Sequence, residues 1–261
     1  MGRDGGTSGP WRGGGPGSGR GRDGRSGAAA PAERRPGLTP EKLINRQDWN
    51  SLIPILEGIG ADPRPAIERL RAFSVLLLEW SRGHSNLISR RDEPRLLERH
   101  IRESVVPART LVESGARRWL DFGSGGGFPA IPLAIAGVPG RWTLIESRRN
   151  KTLFLRKAVE QLGLKDFEVI NDRLENLAAD AARADEFDGL TSRATLKLAP
   201  TLELAAPLIS LGGSAFLWKG SGLQGELAAR GTWKSLWREE GTIPIGIGPS
   251  LVARFTRAKT E

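Results

Sequence analysis

The residue types best suited to chemistry lie in one glycine-rich segment, which reads Trp-Leu-Asp-Phe-Gly-Ser-Gly-Gly-Gly-Phe-Pro over positions 119–129. Its apolar beginning predicts a short buried strand, and Pro129 suits the first turn of a helix, where no amide donor is needed. Four glycines within five positions permit a tight turn and let the backbone come close to a ligand. The segment therefore predicts a nucleotide-like ligand beside a helix N-terminus.

Side chains in and after this segment indicate which nucleotide would bind. Gly123 and Gly125 match half of the dinucleotide fingerprint, but Phe128 occupies the position of its third glycine. Asp121 would repel a pyrophosphate, whereas it could order the loop or hold an ammonium group. Glu146 ends the next predicted strand and is placed to accept hydrogen bonds from a ribose diol. S-adenosylmethionine fits these residues better than NAD, and a glycine-rich turn in another α/β domain stays the alternative.

Polar residues within other apolar elements predict a pocket. Residues 84–91 read His-Ser-Asn-Leu-Ile-Ser-Arg-Arg at the exit of one predicted helix, and His100 shares a face of the next helix with Glu103. Arg193 and Lys219 end the fourth and fifth predicted strands. Because the carboxyl ends of such strands face the ligand crevice, we expect both cations near the cofactor. A core histidine and a surface ion pair are the alternative interpretations of His100 and Arg193.

The elements that position these residues follow a repeating strand and helix pattern. Helix-start signals at Thr39, Asp62 and Asp92 predict three helices before the sheet. The predicted strands are 117–122, 141–146, 166–171, 186–192 and 213–218, with two short candidates at 241–247 and 250–257. The predicted helices between them are 129–137, 149–162, 176–184 and 197–209, with a further helix within 222–237. Alternation of this kind predicts a mostly parallel sheet covered on both faces.

The predicted fold class is therefore α/β, with a Rossmann-like S-adenosylmethionine-dependent methyltransferase fold. A mostly parallel sheet carries an antiparallel C-terminal strand, and a small helical segment precedes the sheet. We predict three parts, which are a disordered glycine- and arginine-rich tail at 1–38, a helical segment at 39–114 and a methyltransferase domain at 115–261.

Composition limits the partners and the location of the protein. A net charge of +9 indicates a polyanionic partner. A proteome that commonly uses arginine on solvent-exposed surfaces would explain the charge equally well. The tail could contact RNA, but an extension without function or an upstream start codon is favoured. With no cysteine and two histidines, neither a disulfide framework nor a metal site is expected. No apolar stretch is long enough to cross a bilayer and no signal segment is recognised, which predicts a cytoplasmic protein.

Two absences from the sequence narrow the methyl acceptor. Methylation of carbon 5 of a pyrimidine needs a thiolate, and the chain has no cysteine. Methylation of an exocyclic amine usually employs an Asn/Asp-Pro-Pro-Tyr/Phe turn after the fourth strand, where this sequence reads Thr-Ser-Arg-Ala at 191–194. What remains is an acceptor that is already nucleophilic, such as a ring nitrogen or a 2′-hydroxyl with a base.

Six motifs in unbroken order resemble the bacterial ribosomal RNA small subunit methyltransferase G family, also called glucose-inhibited division protein B. They begin at Asn86 (Asn-Leu-Ile-Ser-Arg-Arg-Asp), Arg99 (Arg-His-Ile-x-x-Ser), Asp121 (the glycine-rich segment), Glu146 (Glu-Ser, with Lys151 and Phe154-Leu155 following), Ser192 (Ser-Arg-Ala) and Lys219 (Lys-Gly). The resemblance implies methyl transfer from S-adenosylmethionine to N7 of one guanine in the decoding region of 16S rRNA. Guanine N7 has a free lone pair, so this acceptor agrees with the absences above.

The resemblance also implies roles for particular residues. It places cofactor contacts on Gly123, Phe128, Leu174, Glu175 and Arg193. The glycine-rich segment and the next strand end predict three further contacts, on Asp121, Gly125 and Glu146. We predict that Arg193 positions the guanine and that His100, Asn86 and Arg91 shape its pocket, with no general base. The expected partner is 16S rRNA in the small ribosomal subunit or its assembly intermediate, bound by a monomer. Two alternatives stay open, a methyltransferase acting on protein or a small molecule, and a non-catalytic RNA-binding assembly factor.

Overall fold

A computed structural model describes residues 38–258 of the chain. The prediction of a disordered tail at 1–38 therefore falls, except for Leu38, outside the described residues. Within the described part, no helix is both long enough and apolar enough to cross a membrane.

The predicted helical segment precedes the sheet, and its first helices begin where the capping signals place them. It contains α1 (Pro40–Ile44), α2 (Ile53–Glu57), α3 (Pro63–Gly83), α4 (Glu103–Val105) and α5 (Ala108–Glu113). The Thr39 hydroxyl accepts a hydrogen bond from the Lys42 amide, and the Asp62 carboxylate accepts one from the Arg64 amide. These bonds satisfy amides that a helix N-terminus otherwise leaves without partners.

The third predicted helix is broken, which the periodicity of its apolar residues did not reveal. It begins as a 3₁₀ turn at Glu93–Arg95, continues as a π-helical stretch at Leu97–Arg102 and ends in α4 and α5. Pro107 separates these last two helices, because proline lacks the amide that would continue the hydrogen-bond ladder. The π-helical stretch contains His100, and wide turns of this kind frequently lie at functional sites.

Seven strands form one sheet in the order β3-β2-β1-β4-β5-β7-β6. They are β1 (Arg118–Phe122), β2 (Arg141–Ile145), β3 (Phe167–Ile170), β4 (Phe187–Arg193), β5 (Ile209–Lys219), β6 (Trp237–Pro244) and β7 (Leu251–Arg257). The helices are α6 (Ala130–Ala136), α7 (Arg149–Gln161), α8 (Leu174–Ala179), α9 (Leu198–Ala205), α10 (Leu223–Ala228) and α11 (Trp233–Leu236). Strand β7 runs antiparallel between β5 and β6, which confirms the predicted fold class.

Some boundaries differ from the prediction for local reasons. Helix α9 is shorter than predicted because a 3₁₀ turn with Pro207 follows it, and β5 then begins at Ile209 rather than at 213. Strand β6 begins at Trp237 instead of 241, because the consecutive charged residues 238–240 are all exposed on this edge strand and hide the alternation typical of a strand. The predicted helix within 222–237 divides into α10 and α11 around Gly231.

Two buried apolar clusters lie on the sheet and hold the interior strand β1, which lies between β2 and β4, in place. The Trp119 ring stacks on Trp142 of β2, with their ring centroids 5.1 Å apart, and belongs to the cluster that includes α3 and α6. Leu120 points into the other cluster, which is built from α8, α9 and their neighbours. Gly189 of β4 lies against the Trp119 ring, where a Cβ atom would overlap the indole. This packing fixes the strand whose carboxyl end carries the glycine loop.

Candidate functional site

A cavity of about 1030 Å³ opens at the carboxyl ends of β1, β2 and β4. Open α/β sheets bind their ligands at this edge. Eight of the predicted site residues line the cavity, namely His100, Gly123, Gly125, Phe128, Glu146, Leu174, Glu175 and Arg193. Asn86 and Arg91 are exposed and do not line it, and Asp121 is buried beneath it. The sequence thus identified the cavity through residues on five different segments of the chain.

The glycine loop leaves no room for side chains at two positions. A Cβ atom on Gly123, whose φ is +70°, would overlap the Thr195 side chain. One on Gly127, whose φ is +85°, would lie 2.6 Å from Cδ1 of Ile131. Glycine adopts these backbone angles without the steric cost that other residues incur. Pro129 precedes α6 as its N-cap residue after a cis peptide bond, rather than occupying the first helical position as predicted.

The Glu146 carboxylate anchors the loop to the end of β2. Its Oε2 accepts a hydrogen bond of 3.1 Å from the Gly125 amide, and its Oε1 accepts one of 2.8 Å from the Arg148 amide. The side chain is buried, yet it lines the cavity. Because each carboxylate oxygen can accept a second hydrogen bond, Glu146 can also receive hydroxyl groups from a ligand.

Asp121 lies in strand β1 rather than in the turn, and its carboxyl group is fully buried. Its Oδ1 accepts a hydrogen bond of 2.6 Å from the Thr191 hydroxyl of β4. Its Oδ2 has no hydrogen-bond partner within residues 38–258. Burial raises the pKa of Asp121 to about 7, against the opposing effect of the Thr191 hydrogen bond. The carboxyl group therefore changes charge near neutral pH, below the loop.

This shifted pKa predicts a pH-dependent stability that an Asp121→Asn variant should lack. Between the ordinary carboxyl pKa near 3.8 and the raised pKa of about 7, the folded protein binds a proton that the unfolded chain has released. The contribution of this proton to the free energy of unfolding is complete below pH 3.8. It declines as the pH rises from 3.8 to 7 and is absent above pH 7. Urea unfolding of the ligand-free protein should show the variant gaining stability over the wild type between pH 5 and pH 8, by about 2–3 kcal/mol. A constant difference across this range would contradict the assignment.

Arg193 is held by the π-helical stretch and α4. Its Nη2 donates hydrogen bonds of 2.6 Å to the Arg99 carbonyl and 2.7 Å to the Glu103 carboxylate. Its guanidinium carbon lies 5.8 Å from the centre of the Phe128 ring. Both members of the Arg193–Glu103 ion pair are largely buried, so it links β4 to the cavity wall formed by His100 and Phe128.

His100 presents a neutral imidazole to the cavity. Its ring centroid lies 5.1 Å from that of Phe128, and its Nε2 is buried without a hydrogen-bond partner in the described part of the chain. Burial, followed by the nearby Arg193 charge, lowers the pKa of His100 to about 4, although Asp92 opposes the shift. A neutral ring can donate or accept one hydrogen bond there without adding positive charge.

Several cavity residues were missed by the sequence-based prediction of the site. Arg148 and Lys151 follow the Glu146 strand end, and Asn171 and Arg173 follow the end of β3. Their position after a parallel strand is a signal that could have identified them. Thr195 contacts Gly123 from the loop after β4, and no local pattern predicts this contact. Three of these five residues are basic, and Asp172 between Asn171 and Arg173 adds a carboxylate to the same rim.

The residues present fit S-adenosylmethionine. A Cβ atom on Gly125 would make only ordinary van der Waals contacts, at 3.7 and 3.9 Å, so the loop backbone is not crowded there and a ligand can approach it. Glu146 would offer acceptors to a ribose, and the buried Leu174 with the exposed Glu175 would offer an apolar and a polar contact to an adenine. The unpartnered Asp121 oxygen provides negative potential below the loop. Among the described residues, no group of three or more His, Cys, Asp or Glu is placed to hold a metal ion.

The sheet order, the glycine loop and the strand-end carboxylate define a methyltransferase of the S-adenosylmethionine-dependent Rossmann-like class. A solved structure of mutant MtNAS in complex with S-adenosylmethionine shares this fold, with a TM-score of 0.51, 17% identity and coverage of 85% of this chain and 97% of that one. Residues 66–240 match the family model for GidB, the rRNA small subunit methyltransferase G. The chain belongs to this family.

Curated relatives agree with the family match. The ribosomal RNA small subunit methyltransferase G of Syntrophomonas wolfei is 36% identical over 158 residues, which are 60% of this chain and 72% of that protein. The protein of the same name from Polynucleobacter asymbioticus is 38% identical over 168 residues, 63% of this chain and 74% of that protein. The predicted family, the S-adenosylmethionine cofactor and the class of enzyme, an rRNA methyltransferase, are confirmed.

Proposed function

We propose that this chain transfers a methyl group from S-adenosylmethionine to N7 of a guanine in the decoding region of 16S rRNA. The observation that carries the proposal is the match of residues 66–240 to the rRNA small subunit methyltransferase G family, together with an intact glycine loop and Glu146. The substrate is the small ribosomal subunit or an assembly intermediate, and the enzyme acts as a cytoplasmic monomer. We retain 39–114 and 115–261 as its helical and methyltransferase parts.

The acceptor chemistry suits a chain with few reactive side chains. The sequence contains no cysteine, so no thiolate can activate a pyrimidine ring. The ring nitrogen N7 of guanine carries its own lone pair and needs neither covalent activation nor removal of a proton. A neutral His100 and a buried Arg193–Glu103 pair are sufficient at the cavity wall under this mechanism, because no general base is required.

Alignment is the main contribution of the protein. Bound S-adenosylmethionine supplies the electrophilic methyl group, which N7 receives as the sulfonium becomes a neutral thioether. Glu146 and the glycine loop hold the nucleoside part of the cofactor. Leu174 and Glu175 contact its adenine base. Holding two reactants in line can supply about 7–11 kcal/mol of the barrier.

The positive charge that develops on the guanine constrains the cavity wall. A free arginine over the base would oppose methylation, because the methylated ring is cationic. The charge of Arg193 is compensated by Glu103 at 2.7 Å, and its guanidinium lies near the Phe128 ring. We therefore assign Arg193 to positioning this wall and the guanine edge. His100 shapes the same wall, whereas Asn86 and Arg91 contribute from the exposed rim.

Transfer of radiolabelled methyl groups to ribosomal particles tests the proposal. The purified chain should label small-subunit rRNA from a strain that lacks this modification, and Glu146→Ala should reduce labelling at low cofactor concentration at least tenfold. The reduction follows from loss of two hydrogen bonds to a carboxylate, each worth about 1.5–3 kcal/mol. Glu168→Ala is the matched control, because Glu168 lies on the neighbouring strand β3, outside the cavity, and pairs with Arg183.

The distribution of label separates the alternatives. If the label appears in protein or in small molecules but not in rRNA, the proposal is wrong and the chain is a methyltransferase that acts on that acceptor. Binding of S-adenosylmethionine without turnover on naked rRNA, assembly intermediates or finished subunits would indicate a non-catalytic assembly factor.

A further inference from the structure

Nitrogen N7 alone cannot select guanine, because adenine carries the same acceptor atom. The two bases differ at position 6, which neighbours N7, and along the rest of the Watson–Crick edge. Guanine presents the O6 acceptor followed by the N1–H and N2–H donors, whereas adenine presents an amine donor followed by the N1 acceptor. Enzymes that modify a base commonly extrude it and read this edge by hydrogen bonds. A site that reads the Watson–Crick edge of guanine therefore needs a donor beside an acceptor.

A second cavity, of about 440 Å³, adjoins the cofactor cavity. The two cavities share the loop 193–196, whose Thr195 side chain rests on Gly123 on the cofactor side. On the other side, the Leu196 carbonyl accepts a hydrogen bond of 3.1 Å from Lys219. The second cavity therefore adjoins the cofactor cavity across this loop, with Lys219 on its far side.

Lys219 and Glu226 form an oriented pair in the second cavity. The Lys219 ammonium lies 2.8 Å from Oε2 of Glu226, and the same oxygen accepts a hydrogen bond of 2.5 Å from the Leu198 amide. The Lys219 side chain is 11% exposed and that of Glu226 is 24% exposed, so the pair is held in place but accessible. Burial opposes ionisation of Glu226, yet these hydrogen bonds lower its pKa, so that it is a carboxylate at neutral pH.

Each member of the pair has hydrogen-bonding capacity in reserve. Lys219 uses two of its three N–H donors within the described residues, on Leu196 and Glu226. Glu226 receives its hydrogen bonds on Oε2, and Oε1 has none within residues 38–258. Glu103, the other carboxylate lining this cavity, is more deeply buried and has both oxygens bonded, to Arg193 and Ser250. The reserve donor and acceptor therefore lie side by side on Lys219 and Glu226.

We propose that Lys219 and Glu226 read the Watson–Crick edge of the acceptor guanine, with Lys219 donating to O6 and Glu226 Oε1 accepting from N1–H and N2–H. With adenine, the Lys219 donor would face the amine donor at position 6, and the Glu226 acceptor would face the N1 acceptor, so neither hydrogen bond could form. This inference rests on the proposed function and names the two residues that give it base specificity. Glu226 also anchors the N-terminus of α9 through the Leu198 amide, so its test must separate recognition from folding.

The test compares two versions of the same 16S rRNA, one with guanosine and one with inosine at the methylated position. Inosine retains N7, O6 and N1–H but lacks the N2 amine. We expect the wild type to methylate the guanosine RNA with a kcat/KM at least tenfold higher than that for the inosine RNA. In Glu226→Gln, this ratio should fall below about threefold. The ratio is independent of the fraction of folded enzyme, because one preparation is used on both RNAs.

A matched control and the contrary outcomes complete the experiment. Glu203→Gln alters a carboxylate that anchors the Thr232 hydroxyl and the Trp233 amide outside both cavities, and it should retain the wild-type ratio. An equal loss on both RNAs in Glu226→Gln would show a structural role and overturn the proposal, as would a wild-type ratio near one. If Glu226→Gln is inactive on both RNAs, an unchanged ratio in Glu226→Asp overturns it. Failure of the wild type to label either RNA would instead contradict the proposed function.

Discussion

Replacing Arg193 with methionine should lower the free energy of unfolding by about 3 kcal/mol, because the buried Glu103 carboxylate loses its nearer ion-pair partner and keeps Arg99 at 3.6 Å. The Arg99 carbonyl at 2.6 Å loses its donor in the same substitution. Methylation should fall further than stability alone explains, since the His100–Phe128 wall is no longer attached to β4. Urea unfolding and single-turnover methyl transfer, measured on the same variant, check both parts.

Two further variants test whether the loss of stability in Arg193→Met comes from the broken ion pair. Adding Glu103→Gln to Arg193→Met should restore part of the stability, because the uncompensated charge is removed. Arg118→Met is the surface control, since its ion pair with Asp188 is about half exposed on the arginine side and should contribute at most about 1 kcal/mol. If Arg193→Met costs no more than Arg118→Met, the proposed attachment of the cavity wall is wrong.

A Gly123→Ala substitution should weaken S-adenosylmethionine binding by roughly 10–100-fold, on the basis of about 1–2 kcal/mol for a left-handed alanine plus displacement of the neighbouring loop. The added methyl group overlaps the Thr195 side chain, and φ at this position is +70°. The steric overlap and the unfavourable backbone conformation would each displace the loop amides or the 194–197 segment from the cavity. Isothermal titration calorimetry with S-adenosylmethionine measures the effect directly.

The two sources of strain can be separated with Thr195→Ser. Serine removes the Cγ2 atom that the new methyl group meets, yet it keeps the hydroxyl that lies 2.7 Å from the Ser192 hydroxyl. Thr195→Ser alone should bind the cofactor like the wild type. In the Gly123→Ala background, it should recover the steric part of the loss but not the part due to backbone conformation. Unchanged affinity in Gly123→Ala would show that the loop does not form the cofactor site.

Most residues predicted for the cofactor side line the observed cavity, because their signals in the sequence are local. The glycine loop, the following helix and Glu146 lie within 28 residues of one another, and parallel strand ends must meet at one sheet edge. The loop geometry differs in detail, since Pro129 precedes the helix and Asp121 belongs to the strand. These differences depend on backbone angles and burial that residue types do not specify.

The acceptor side depends on contacts between distant parts of the chain and was predicted less completely. Arg193 bonds to Glu103, 90 positions earlier, and the break in the helix that carries His100 has no periodic signature. Lys219 was expected at the cofactor edge, but it lines the second cavity beside Glu226. The sequence identified Arg193, His100 and Lys219 as chemically suited, and tertiary packing decided their partners.

The most direct test of the central claim is mass spectrometry of nucleosides from small-subunit rRNA, prepared with and without this protein and S-adenosylmethionine. We predict one additional 7-methylguanosine per 16S rRNA, located in the decoding region and absent when Glu146→Ala replaces the wild type at low cofactor concentration. A methylated nucleoside of another type, or rRNA with no additional methyl group under conditions where the protein binds the cofactor, would contradict the account.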